Sequence, residues 1–295
     1  MFSVTTTKKY WLSISGVIII ASLILYLTIG LALGIDFTGG SLSELRFTDG
    51  IRTHEQIKGT YEAVLGETPL IQDTDNGVLV RTKTLTESEH QEVFTKLLEV
   101  EGGNIEELRF ESIGPSIGEE LKQKSIKALI FVLIAIVLYV AWAFRHVSKP
   151  VASWKYGFIA ISVLFHDVVI VVGIYVLLGK FFGIEVDAPF IAALLTVLGY
   201  SVNDTIVIFD RVRENLHEPG RTFDETVDAS VRQSFTRSIN TSATTLLVLL
   251  SILFFGGESV QSFVLALVIG VVIGTYSSLF LASPLLTLAQ GKHRR

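Results

Sequence analysis

The segment from Gly199 to Asn215 reads Gly-Tyr-Ser-Val-Asn-Asp-Thr-Ile-Val-Ile-Phe-Asp-Arg-Val-Arg-Glu-Asn. It places Asn203 and Asp204 inside an apolar run that ends abruptly in alternating charges. A carboxylate within a membrane span is costly, so such a residue is by default a candidate for a functional site. The segment therefore predicts a membrane helix with a working polar group near one end.

The composition of the whole chain agrees with this class. Of its 295 residues, 49% are hydrophobic and only 18% are charged, which is typical of a membrane protein. The lysines Lys8 and Lys9 precede an uncharged run that is longer than the h-region of a signal peptide, about 7 to 15 residues, so we interpret it as a retained anchor. Six stretches have the roughly 20 apolar residues that a bilayer requires. They lie near residues 11–34, 126–144, 156–179, 188–209, 239–256 and 260–283.

The distribution of Lys and Arg predicts the orientation. These residues collect beside the spans on one side, whereas the short loops on the other side hold only Lys180. The positive-inside rule then places both termini in the cytoplasm, and the net charge of −5 argues against nucleic-acid binding. The predicted regions are a tail and first helix at 1–34, an extracytoplasmic domain at 35–124, a five-helix bundle with a cytoplasmic loop at 125–285 (loop 210–238), and a tail at 286–295.

The extracytoplasmic segment has the pattern of a small folded domain. Strand-like runs follow Gly39-Gly40 and end the segment at 105–113, and two more flank a hairpin turn predicted at Asp75-Asn76-Gly77. Helical spacing occupies 53–65, and Thr86 with Glu89 predicts a capping box for a second helix. The order strand, helix, strand, strand, helix, strand predicts a ferredoxin-like sandwich.

A histidine and two aspartates lie inside the predicted spans. His166 and Asp167 are roughly 16 Å from the start of the third span at 1.5 Å per residue, near the midplane. Asp204 is roughly 8 Å from the end of the fourth span by the same rise. Desolvation disfavours an ionised carboxylate at the midplane, so Asp167 is expected to exchange a proton if water reaches it from one side at a time.

Each of these residues also has a structural interpretation. An intramembrane Asp can simply accept interhelical hydrogen bonds, which average about 0.6 kcal/mol. His166 can face another helix or a polar cavity, and Asn203 can bridge two helices without titrating. The spacing of Gly270 and Gly274 predicts close helix packing. The polar start of the fifth span, 240–245, serves either packing, which we favour, or the wall of a hydrated pathway.

The charged loop contains a second amphipathic pattern. Thr222 precedes a run in which Phe223, Val227, Val231 and Phe235 fall on or near one side. We expect this helix to lie along the inner membrane surface, with a plain connector as the alternative. The sequence shows no phosphate-binding loop, and its histidines are too scattered to predict a metal site.

Several motifs together resemble a known family. They are Gly34-Ile-Asp-Phe-Thr-Gly-Gly40, Gly114-Pro-Ser-Ile-Gly118, Phe165-His-Asp167, Gly199 to Asn215, and Ser242-Ala-Thr-Thr-Leu246, with a glycine-rich sixth span. Their order and their places relative to six spans are similar to those of the SecF members of the SecD/SecF protein-export family. The chain has no preceding half with six further spans, so it resembles the separate form and not the fused SecD-SecF form.

The resemblance implies a polytopic fold of the resistance-nodulation-division type, in which SecD and SecF halves pack about a pseudo-two-fold axis. It implies a transport subunit and not an enzyme, with H⁺ as the coupling ion, Na⁺ as a possible substitute, and no cofactor. The implied partners are SecD, the SecYEG channel with SecA, YajC and YidC, and unfolded preproteins. Asp167 becomes the first candidate for carrying the proton, Asp204 with Asn203 the second, and His166 their neighbour. Gly39 and Gly40 become a hinge, or else a tight turn before the first strand.

Two other functions are considered beside this one. A purely structural subunit would stabilise SecD or the channel without carrying protons. Half of a small-molecule exporter ranks third, because an outer domain of about 90 residues leaves little room for a substrate pocket.

Overall fold

The computed structural model describes residues 3–47, 54–74, 77–100, 104–145 and 151–290. It divides into two compact units. The helical unit comprises Met1–Ala32 and Ile126–Arg295, and the α+β unit comprises Leu33–Ser125. In chain order the elements are α1 (Lys8–Thr28), α2 (Ile35–Thr38), β1 (Gly40–Phe47), α3 (His54–Leu65), β2 (Leu70–Thr74), β3 (Gly77–Thr82), α4 (Glu87–Val100), β4 (Ile105–Ile113), α5 (Pro115–Ala143), α6 (Ser153–Phe182), α7 (Ala188–Asn215), α8 (Phe223–Phe255), α9 (Glu258–Ser277), a π-helical turn (Ser278–Ala282) and α10 (Ser283–Ala289).

The predicted membrane helices are all present. Among the described residues six helices are long and apolar enough to cross a bilayer: α1, α5, α6, α7, α8, and α9 continued through the π turn into α10. This confirms the prediction of a polytopic helical membrane protein. Residues with their side chains exposed on these helices are largely aliphatic or aromatic, among them Phe131, Ile134, Leu138, Leu247 and Val248.

The helix predicted after Thr222 is present and begins there, but it is not separate from the fifth span. The segment after Thr222 and the fifth span form one continuous helix, α8, of 33 residues. No Gly or Pro interrupts it, so nothing in the chain ends the helix between the two predicted segments. Phe223, Val227 and Val231 pack in the core of the helical unit, and Phe235 is 39% exposed.

The ends of α7 and α8 are fixed by side-chain caps. The Asp187 carboxylate accepts a 2.8 Å hydrogen bond from the Phe190 backbone N–H at the start of α7. At the start of α8, Thr222 and Glu225 form a reciprocal capping box. Aromatic stacking adds to the core beside α7, where the Phe144 and Tyr156 rings lie 5.0 Å apart.

The α+β unit has the predicted ferredoxin-like order. Its sheet is antiparallel with strand order β2-β3-β1-β4, and Leu45 of β1 lies opposite Val78 of β3. Leu45, Ile57 and Leu97 fill the layer between the sheet and the two helices, with at most 1% of each side chain exposed. The prediction for α4 is also confirmed, because the Glu89 carboxylate accepts a hydrogen bond from the Thr86 backbone N–H at 2.8 Å. The two strands of the predicted hairpin pair antiparallel, with Thr74 of β2 opposite Gly77 of β3, whereas the turn residues Asp75 and Asn76 lie outside the described residues.

Glycines allow two helices to approach α7 and α6 closely. A Cβ added to Gly274 of α9 would lie 3.0 Å from the Ser201 Cβ on α7, and one added to Gly270 would overlap Val197. On α6, a Cβ at Gly173 would overlap Ser22 of α1. The predicted pair Gly270 and Gly274 thus faces α7, one helical turn apart.

Candidate functional site

Asp167 on α6 is buried in the helical unit, with no exposed surface. Its Oδ2 accepts hydrogen bonds from Ser201 Oγ on α7 at 2.5 Å and from Ser277 Oγ on α9 at 2.9 Å. Its Oδ1 lies 2.9 Å from His166 Nδ1. The carboxylate therefore contacts donors on α7 and α9 as well as its own neighbour on α6.

His166 turns toward Asp167 despite the 100° step between adjacent helical residues. Its ring is fully buried and lies 6.2 Å from the Tyr276 ring, centroid to centroid. The Tyr276 hydroxyl in turn lies 3.1 Å from Ser15 Oγ on α1. His166 Nε2 is buried and has no hydrogen-bond partner among the described residues. The described polar contact of the imidazole is therefore the one between Nδ1 and Asp167.

The π turn at the end of α9 widens the helix where it meets the site. Ser277 and Ser278 are consecutive, yet both are buried and bond to different helices. Ser277 donates to Asp167 on α6, whereas Ser278 Oγ donates to the Ser201 carbonyl at 3.2 Å and lies 2.9 Å from Thr205 Oγ1. Such π turns occur often at functional sites.

Asp204 occupies a separate polar site, about one helical turn along α7 from Ser201. Its Oδ1 accepts a 2.6 Å hydrogen bond from Ser238 Oγ on α8. Its Oδ2 is buried and has no partner among the described residues. Asn203, the next residue, is exposed on the helical unit. The structure therefore brings His166 and Asp167 together and leaves Asp204 and Asn203 outside their hydrogen-bond network.

The polar start of the fifth span divides into a buried and an exposed part. Ser242 is buried and contacts the Tyr200 hydroxyl at 2.9 Å and Thr275 Oγ1 at 2.6 Å. Thr244 and Thr245 instead donate to carbonyls of their own helix, at Asn240 and Thr241. Ser242 thus joins α7, α8 and α9 one turn along α8 from Ser238.

These two sites differ in what they can do chemically. The Asp167 carboxylate has three polar neighbours, the hydroxyls of Ser201 and Ser277 and the imidazole of His166. Among the described residues the Asp204 carboxylate has one hydrogen-bond donor, Ser238, and its second oxygen can accept from water or bind a cation. Among the described residues no group of three His, Asp or Glu side chains is placed to hold a metal ion.

The glycine pair of the α+β unit forms a tight turn in this structure. Gly39 and Gly40 have φ of 72° and 128°, angles that other residues rarely adopt. A Cβ at Gly39 would lie 2.9 Å from the Pro115 Cα, and one at Gly40 would lie 2.8 Å from the Thr82 carbonyl oxygen. Backbone conformation and close packing both account for glycine here, and the hinge stays a prediction.

Sequence reasoning missed the hydroxyls that complete both sites. Ser201, Ser277 and Ser278 around Asp167, and Ser238 beside Asp204, were not among the candidates. A usable signal existed for Ser201, which precedes Asp204 by three residues in the same motif. Ser277 and Ser278 form a polar pair within an apolar span, but which carboxylate they contact depends on helix packing.

Comparison with protein-family models gives two matches. Residues 93–292 match the model described as protein export membrane protein SecD/SecF, C-terminal, and this range includes both carboxylate sites. Residues 27–51 match the SecD/SecF GG motif, which includes Gly39 and Gly40. Together the matches extend over most of the chain.

Individual proteins give the same result. The chain is 41% identical over 304 residues to the protein translocase subunit SecF of Thermobaculum terrenum, covering 99% of this chain and 95% of that protein. It is 37% identical over 280 residues to the SecF subunit of Haemophilus influenzae, covering 93% of this chain and 82% of that protein.

Two solved structures of SecDF are also similar. The structure of SecDF from Thermus thermophilus, described as a translocon-associated membrane protein, matches with a TM-score of 0.82 at 34% identity. SecDF in the super-membrane-facing form matches with a TM-score of 0.68 at 33% identity. Each match covers 97% of this chain and 38% of the SecDF chain, so the chain spans well under half of those proteins.

Proposed function

The chain belongs to the SecF subunits of the SecD/SecF protein-export family, and from this we propose that it pairs with a SecD subunit to drive protein export with the proton gradient. The similarity to the solved structure supports the pairing, because this chain matches 38% of a single chain that is named SecDF.

The observation that carries the proposal is the burial of Asp167 between hydroxyls of two other helices. Neutralising this carboxylate changes its bonds to Ser201 on α7 and to Ser277 on α9 at the same time. A proton gained or lost at Asp167 therefore alters how α6, α7 and α9 pack. One elementary charge moved across 100 mV supplies about 2.3 kcal/mol, enough to bias such a two-state packing appreciably.

The wider setting of the proposal follows from charge and family. The chain would lie in the cytoplasmic membrane with both termini inside, and the α+β unit would act outside the cell membrane on unfolded preproteins. The SecYEG channel with SecA is the expected assembly, with YajC and YidC as further partners. H⁺ is the proposed coupling ion; Na⁺ is the alternative, because a carboxylate among hydroxyls can bind either.

The test is export of a secreted reporter in cells depleted of their own SecF and complemented with this chain. We expect Asp167→Asn to assemble at normal levels, to copurify with SecD, and to lose most of the export that depends on the proton gradient. Asp228→Asn is the matched control. Asp228 is also buried and accepts hydrogen bonds from Ser3 and Thr5, but it lies at the start of α8, away from both sites.

A structural role is the second candidate, and the same contacts favour it. Asn at position 167 retains one oxygen that can accept from Ser201 and Ser277, so a subunit that only needs the helices held together would tolerate the change. Full gradient-dependent export by Asp167→Asn would therefore contradict proton coupling at this residue and support the structural role.

A further inference from the structure

Four serines form a column along one face of α8. Ser230, Ser234, Ser238 and Ser242 are spaced by four residues, which keeps their side chains on the same side of the helix. All four are buried, with at most 6% of each residue exposed. At 1.5 Å per residue the column is about 18 Å long.

Three of the four serines have partners on neighbouring helices. Ser230 accepts a 2.8 Å hydrogen bond from Asn215 Nδ2, Ser238 donates to Asp204, and Ser242 contacts α7 and α9. Ser234 is the exception, because its buried Oγ has no partner among the described residues. Ser234 lies one helical turn along α8 from Ser238, which contacts Asp204, and one turn from Ser230, which contacts Asn215.

A second buried hydroxyl, that of Ser283 on α10, lies at about the level of Ser234, and α10 contacts α8. Ser242 bonds Thr275, and α9 and α10 return antiparallel along α8. Ser234 precedes Ser242 by eight residues, and Ser283 follows Thr275 by eight residues. Because the two helices run in opposite directions from the Ser242–Thr275 contact, Ser234 and Ser283 lie at about the same level. Ser283 is fully buried and its Oγ has no partner among the described residues.

Close helix packing alone does not account for these atoms. Small residues do allow helices to approach, and alanine would serve that purpose equally well. Leaving a buried polar group without a hydrogen bond costs about 1–3 kcal/mol. Ser234 Oγ, Ser283 Oγ and Asp204 Oδ2 would each carry this cost within one seam, whereas buried water bonds to two to four such groups.

We propose that this seam, defined by Ser234, Ser283 and Asp204, holds buried water and is the route by which Asp204 exchanges protons with solvent. The solvent end of the route is the Ser230 level, where Asn215 also donates to the exposed Gln233 at 2.9 Å. Two parts of this inference rest on the proposed function: that this end faces the cytoplasm, and that Asp204 takes part in coupling. The presence of water in the seam does not rest on it.

The first experiment uses the natural lack of cysteine in this chain. Ser234→Cys and Ser283→Cys are introduced singly into the full chain, purified with SecD in nanodiscs, and treated with a small charged methanethiosulfonate. Val231→Cys is the matched control, because Val231 on the same helix is 1% exposed but packs in the apolar core. Thiols react as thiolates in water, so we expect positions 234 and 283 to react at least about tenfold faster than position 231. Equal rates at the three positions would overturn the hydrated seam.

The second experiment asks whether the seam is the exchange route. Ser234→Val fills the seam with apolar atoms, whereas Ser234→Ala leaves room for water. We expect Val to lose most of the gradient-dependent export and Ala to keep it, with SecD copurification unchanged in both. Normal export by Ser234→Val would overturn the route even if the thiol rates show water. If the cysteines at 234 and 283 react fast but Asp167→Asn keeps full gradient-dependent export, the proposed function is contradicted and the hydrated seam is still supported.

Discussion

In the α+β unit the fully buried large side chains include Leu45, Ile57 and Leu97, whereas a carboxylate and an imidazole, Asp167 and His166, are fully buried in the helical unit. The exposed surfaces are reversed as well. The sheet and its helices present many charged side chains, and the long helices present aliphatic and aromatic ones. Each unit therefore matches a different surrounding, water for one and hydrocarbon for the other.

This contrast shows that different interactions hold the two units together. In the α+β unit an apolar core supplies stability by burial from water, so its interior needs no polar groups for folding. In a bilayer, burial of apolar surface between helices gains little, and packing and hydrogen bonds hold the helices together. The buried polar groups of the helical unit are thus a means of association, and under the proposed function they also respond to protons.

The largest effect on stability is expected from Leu45→Ala in the α+β unit. Removing this fully buried side chain costs about 2–5 kcal/mol of the free energy of unfolding, through lost burial and the cavity left behind. Hydrogen exchange measured by mass spectrometry on the full chain should show faster exchange in the strands and helices of the α+β unit only. Equal acceleration in α6 and α7 would break the comparison, because the two units would then unfold together.

Gly270→Ala should have the next largest effect, and it falls in the helical unit. The added methyl group overlaps Val197, so α9 must move away from α7 at a cost of about 1–3 kcal/mol. Unfolding of the purified protein in detergent micelles by added SDS would measure it. Gly199→Ala is the control, since a Cβ there meets no atom within 4 Å. A larger loss at Gly199 than at Gly270 would contradict the packing argument.

A double-mutant cycle between Asp167 and Ser201 sharpens the comparison further. A hydrogen bond to an ionised group contributes about 1.5–3 kcal/mol, whereas interhelical bonds in membranes average about 0.6 kcal/mol. We expect the coupling between Asp167→Asn and Ser201→Ala to exceed that of the neutral pair Thr205–Ser278, which is joined at 2.9 Å. Equal couplings would indicate that Asp167 is an ordinary packing contact.

The smallest effects are expected at two matched helix caps. Thr86→Ala and Thr222→Ala each remove a capping box and should cost about 1 kcal/mol locally. We expect hydrogen exchange to accelerate in the first turn of α4 and of α8, and to spread further in the shorter α4. Acceleration throughout α8 would contradict the view that packing, and not the cap, holds its N-terminal half.

The cap of α4 should also respond to acid. Hydrogen bonds from the Thr86 backbone and hydroxyl hold the pKa of Glu89 below its usual range. Because the pKa is lower in the folded state, this contribution is present above the pKa of the unfolded chain and is lost as the pH falls through the folded pKa. Thr86→Ala should therefore change exchange in α4 less in acid than at neutral pH.

Features that depend on local pattern were predicted well. Six apolar runs gave six helices, and alternation with turn residues gave the strand and helix order of the α+β unit. Thr86 and Thr222 were both recognised as helix starts, because a cap is set by residues within one turn of each other. The midspan position of Asp167 was likewise visible from its distance along the apolar run.

Features that depend on which surfaces meet were not predicted. The continuity of α8 was missed because its first half is charged outside and packs through Phe223, Val227 and Val231 inside. The π turn at Ser278–Ala282 leaves no clear mark in the sequence. The absence of direct contact between the Asp204 site and the Asp167 network was also not foreseen, although the two carboxylates were expected at different depths.

The sequence alone determined that this chain is a six-span membrane protein with a ferredoxin-like unit and two intramembrane carboxylates, because hydrophobic run length, alternation and capping are properties of neighbouring residues. Only the tertiary structure decided that Asp167 contacts Ser201 and Ser277, and that Asp204 contacts Ser238. Those pairings depend on helix rotation and level, which packing at glycines and the π turn fix between residues up to 110 positions apart.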